Sequence, residues 1–126
     1  MDKTNRKFDL EERTAVFGEN IISFVKSVDK NEINRPLVNQ IVRSATSIGA
    51  NYMEANGASS KKDFRNKTCI CRKEARETKH WLRMIATANP EKSNECRSLW
   101  KEAQELTLIF SKIIISSDNK NIPSEI

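Results

Sequence analysis

This sequence predicts an all-α protein, an antiparallel up-down-up-down bundle of four helices. Three observations carry that expectation. Apolar residues return every three or four positions along four separate stretches, each marking one stripe of a helix. No stretch shows the period-two alternation of a half-buried strand. The 126 residues include only three Gly and three Pro, so long uninterrupted helices are permitted almost everywhere. A chain of this length fits one domain and buries roughly two-thirds of its unfolded surface, enough for a core without staples.

Residues 1–8 read as a polar tail. Asp9 and Glu12 have the spacing of a capping box and predict a first helix over residues 9–28, its stripe formed by Leu10, Thr14, Phe17, Ile21, Phe24, Val25 and Val28. Asp29 to Glu32 form the connection. Asn34 and Pro36 mark the next start, because Pro in a first turn lacks only an N–H that would be unpaired anyway. The second helix, 36–56, carries Leu37, Val38, Ile41, Val42, Ala45, Ile48, Gly49, Tyr52 and Ala55, and Gly57 can end it in the left-handed conformation. Its run from Ser44 to Asn51 is unusually small, which predicts a close helix crossing. Ser60 with Asp63 caps the third helix, 60–89, whose inner face is Phe64, Thr68, Cys71, Ala75, Thr78, Leu82 and Ile85; Pro90 lies past its end. The fourth, 94–116, is lined by Cys96, Leu99, Trp100, Ala103, Leu106, Thr107, Phe110, Ile113 and Ile114, and residues 117–126 read as a loose polar tail.

Composition narrows the function classes. No apolar run approaches the ~20 residues needed to span a bilayer, and the first residues lack the apolar segment of a signal peptide, so a cytoplasmic protein without membrane contact is expected. Cys69, Cys71 and Cys96 are odd in number, and on a helix the first two point about 200° apart, so they read as small hydrophobes and not as a disulfide or zinc framework. The single histidine, His80, has no carboxylate partner near in sequence, and no Glu-x-x-His pair is present. No catalytic residue, metal or cofactor is called for, and a non-enzymatic protein is the expectation.

Charge concentrates on the third helix. Between Lys61 and Arg83 stand nine Lys and Arg against three acids, a balance of +6 within a net charge of +5. At 100° per residue Lys61, Arg65, Arg72, Arg76, Lys79 and Arg83 fall within about 60° of one another, and Lys62, Lys73 and His80 continue that ridge outward. Such a row can track a phosphate backbone, or it can be a solvated face whose Arg stems cover the core edge. No helix-turn-helix, RNA-reading motif or aromatic stacking platform accompanies it. On the far side Ile70, Trp81 and Met84 project about 100° or more from the centre of the core stripe, which suggests an oligomer or partner surface, unless the bundle buries a wider arc there.

The string Leu37 to Ala55 (LVNQIVRSATSIGANYMEA), continued by Ser59 to Phe64 and Lys73 to Leu82, is similar to the signature of the four-helix bundle proteins of the 23S rRNA intervening-sequence family. The opening Phe8 to Thr14 resembles the start of that family's first helix. The resemblance spans about residues 8–115 and implies a small bacterial bundle that commonly assembles as a homopentameric ring. It also implies either association with RNA or an adaptor role for a protein partner, such as the reverse transcriptase bound by a related accessory protein. Arg43, Asn51, Glu54 and Glu74 stand at the motif's polar positions, where they can serve packing and assembly or a ligand. The expectation is therefore an oligomeric, nucleic-acid-associated bundle, with RNA favoured over DNA by the resemblance.

Overall fold

In the computed structural model, which describes residues 6–121, four helices follow one another: α1 (Arg6–Lys26), α2 (Asn34–Asn56), α3 (Lys61–Ala88) and α4 (Ser93–Asn121), with a 3-10 turn at Pro90–Lys92. No strand occurs among the described residues. α2 packs against α1 and α3, and α3 against α4, while α1 and α4 touch more sparingly. Short links between consecutive helices give the antiparallel bundle.

The core is the meeting of the four stripes. Phe17, Ile21, Ile41, Ile48, Leu82, Ile85, Leu106 and Phe110 are fully buried. Threonine is tolerated there because its hydroxyl finds a partner within its own helix: Thr68 donates to the Phe64 carbonyl, Thr78 to Glu74 and Thr107 to Ala103. At the α1–α2 crossing, a Cβ added to Gly49 would lie 3.4 Å from Thr14, and one added to Gly18 would lie 3.7 Å from Thr46. The small run of α2 does bring two backbones close together.

Several boundaries differ from those read in the sequence. α1 starts at Arg6, so Asp9 stands inside the helix and not at its cap. Nothing in Arg6-Lys7-Phe8 opposes helix, and the capping spacing alone does not stop one. α1 also closes at Lys26, and Val28 remains buried just beyond it. Gly57 ends α2 at φ −96°, with its N–H on the Glu54 carbonyl, so the left-handed freedom of glycine goes unused. α4 continues to Asn121 and takes in residues 117–121, which the sequence reading placed in a polar tail. Residues 1–5 and 122–126 of the two tails lie outside the described residues. Ser60, by contrast, caps α3 as read, its hydroxyl accepting the Asp63 N–H at 3.0 Å. Trp100 is 39% exposed and stands outside the core it was assigned to line.

One polar pair ties an end of the bundle. The amides of Asn34 and Asn89 donate to each other at 2.9 and 2.8 Å in a buried setting, and each also donates to a backbone carbonyl, of Asp29 and Ile85. The pair locks the start of α2 to the end of α3. Asn34→Ala removes both bonds of the pair, leaves the buried Asn89 side-chain oxygen without its donor, and is expected to cost about 1–3 kcal/mol in urea unfolding. Asn89→Ala added to it should cost clearly less than its own single effect.

Candidate nucleic-acid interface

α3 presents its cations in two groups, one held by α4 and one left open, which share the same ridge. Arg65, Arg72 and Lys79 recur every seven residues on α3 and meet Asp118, Ser111 and Gln104 at the same interval on α4. Arg65 grips Asp118 with two bonds at 2.6 and 3.1 Å. Arg72 reaches the Ser111 hydroxyl at 3.4 Å, and Lys79 donates to the Gln104 side-chain oxygen while its Nζ lies 5.1 Å from the Trp100 ring centroid. The Arg65 guanidinium holds the Asp118 carboxyl below its ordinary range by donating to it. The held group is thus half-buried and fixed in place. Among the described residues Arg65 alone of the three meets a carboxylate, while Arg72 and Lys79 meet neutral oxygens.

The other group is open. Lys61, Lys62, Lys73, Arg76 and Arg83 are exposed and form no ion pair among the described residues. They extend over about 33 Å of α3. Of the seven residues expected to contact nucleic acid, the structure leaves Lys61, Lys73, Arg76 and Arg83 open and draws Arg65, Arg72 and Lys79 into the α3–α4 seam.

The opposite edge of α3 is knit to α2. Arg43 bridges Glu74, at 3.3 Å, and Glu77, and the Trp81 indole N–H donates to Glu77 at 3.0 Å. Lys67 pairs with Glu54 at 2.8 Å, and Asn51 donates to the Ser47 carbonyl of its own helix. Three of the four polar motif positions, Arg43, Glu54 and Glu74, therefore join α2 to α3. Ile70, Trp81 and Met84 are half-buried, and Trp81 packs on the core. Glu77 is held below the ordinary carboxylate range, first by the Trp81 N–H and then by Arg43. A depressed carboxylate contributes stability above its unfolded pKa of about 4.3 and loses it as the pH falls through the lower folded value. The melting temperature should therefore drop below about pH 4, and less steeply in Glu77→Gln, as thermal scans across pH will report.

Two of the three thiols, Cys71 and Cys96, are buried and held in the unreactive protonated form. Burial pushes Cys71 up to about 12 and Cys96 up to about 11, and the Cys71 thiol donates to the Ile48 carbonyl. Among the described residues no three His, Cys, Asp or Glu side chains gather as a metal site requires. No helix among them is long and apolar enough to cross a membrane.

Two surfaces escaped the sequence reading. Leu108 and Ile115 stand 55% and 56% exposed on the outer face of α4, beside Lys101 and Lys112. Between them, α1 and α2 form a groove of about 490 Å³ lined by Ile22, Gly49, Ala50 and Met53 together with Glu11, Glu12 and Glu19. The signal for the first was the interruption of α4's polar outer face by two large apolar residues seven apart.

The model of a family described as 23S rRNA-intervening sequence protein matches residues 6–112. Among solved structures the chain is similar to a protein of unknown function from the S23 ribosomal protein family of Bacteroides thetaiotaomicron VPI-5482. The two share 31% identity over 82% of this chain and 96% of that one, with a TM-score of 0.73. No curated protein matches the chain.

Proposed function

This chain belongs to the 23S rRNA-intervening sequence protein family, and on that premise we propose that it is a non-enzymatic bundle that binds structured RNA through the phosphates along α3. The observation that carries the reading is the open group Lys61, Lys62, Lys73, Arg76 and Arg83, exposed and without carboxylate partners among the described residues. Exposed cations spread along one face of a helix neutralise phosphates and release counterions, which gives affinity without reading sequence. With five open cations the logarithm of affinity is expected to fall with the logarithm of salt at a slope of about −4. Filter retention of a folded RNA across a salt series measures it. A parent protein that holds no RNA at low salt overturns the reading.

Self-association is a second reading, favoured by the groove on α1–α2, which pairs apolar residues with acids, and the apolar, cation-flanked face of α4. Charge and apolarity match between them, so copies would join head to tail, an arrangement that closes into a ring when the rotation allows. Five subunits are what the family resemblance implies. Sedimentation of the parent beside Leu108→Asp with Ile115→Asp tests it: an oligomer should become a monomer, and a parent already monomeric at micromolar concentration refutes it.

A further inference from the structure

Where the ridge approaches the start of α4, the surface opens into a depression of about 360 Å³. Leu82, Ala86 and Cys96 line its apolar part, and Arg83, Arg97 and Ser93 its polar part. Trp100 completes the wall. This indole is partly exposed, and Lys79 stands over the ring, fixed by its bond to Gln104. Arg83 and Arg97 are both exposed. An aromatic plane, two guanidinium groups and an apolar floor thus converge at one point on a row of cations. That combination is what recognises a nucleotide whose base is free of its pair, because every base offers a face for stacking while its phosphates seek cations.

We propose that Trp100, with Arg83 and Arg97, forms a subsite for one unpaired nucleotide of a bound RNA. The base stacks on the indole face turned away from Lys79, beside Ala86, and the flanking phosphates meet the two arginines. The subsite rests on the proposed RNA binding and refines it, since the open group alone cannot tell a paired strand from an unpaired one. A fully paired duplex has no base to insert and engages the ridge by phosphates only. An RNA with an unpaired loop engages both.

The test uses two probes, a hairpin RNA with a single-stranded loop and a blunt duplex RNA of the same length, in retention assays at fixed salt. The parent protein should bind the hairpin about tenfold more tightly than the duplex, the worth of one stacked base. Trp100→Leu should bring hairpin affinity down to the duplex level and leave duplex affinity unchanged, and Trp100→Phe should keep most of the preference. Indole emission should be quenched by the hairpin in the parent and not in Trp100→Leu, where Trp81 alone reports. Circular dichroism checks the fold, and Arg97→Ala, at an exposed helix position, provides a second variant expected to weaken the hairpin preference. Equal preference in Trp100→Leu and the parent overturns the subsite, as does a parent that binds both probes alike; in either case the phosphate-binding ridge stands. A parent that retains neither probe overturns both.

Discussion

Reversing Lys73, Arg76 and Arg83 together to Glu is expected to abolish retention of structured RNA while leaving the helical circular-dichroism spectrum unchanged. All three are exposed, and their side chains form no hydrogen bond or ion pair among the described residues, so reversing them changes charge far more than packing. Each lost phosphate contact is worth about a factor of ten, so affinity should fall about a thousandfold at low salt. The salt slope should flatten by about three units at the same time. Arg72 and Lys79 are poorer choices for the same experiment, because they hold Ser111, Gln104 and the face of Trp100. Replacing them would loosen the α3–α4 seam and confuse affinity with stability. Binding that survives the triple reversal refutes the ridge.

The largest expected change in stability comes from the centre of the bundle. Phe110 and Leu82 are fully buried, and the Phe110 ring lies 5.9 Å from that of Tyr52. Cutting either back to Ala removes apolar contact and leaves a cavity that close-packed helices fill only partly. Phe110→Ala should cost about 3–5 kcal/mol and Leu82→Ala about 2–5 kcal/mol in urea unfolding. Such losses are a large share of the stability of a small domain. Losses under about 0.5 kcal/mol at both positions would mean that these stripes do not form the core.

The stripes were legible because burial in a bundle imposes the period of the helix on the sequence, and Phe17, Ile41, Leu82 and Phe110 each lie where that period places them. The cap at Ser60 was legible because a hydroxyl before a helix start has one task. Asp9 offered the same spacing without the same outcome, since helix-compatible residues precede it and the chain had no reason to begin there. Trp100 has the hydrophobicity of a core residue, but its helix neighbours are polar. It shares a helix line with Gln104, Ser111 and Asp118, and that polar column was the signal that the position faces the seam and not the core. The ridge could be counted and aligned from the sequence, but its division into a held group and an open group depends on the partner helix. A single helix wheel does not contain the partners that α4 brings to Arg65, Arg72 and Lys79.

The neutral acceptors of that seam carry a kinetic consequence. Because Arg72 and Lys79 are immobilised by a hydroxyl and an amide oxygen instead of carboxylates, their positive field is fixed in direction and still reaches into solvent. Residues 61–83 carry +6 while the rest of the sequence sums to −1, so the charge of the molecule is one-sided. A polyanion approaching from several ångströms away would feel a torque that turns α3 toward it before any contact forms. Capture would then be governed by the rate of oriented encounter, which electrostatic steering raises and ionic strength suppresses within a Debye length of about 10 Å at 0.1 M salt.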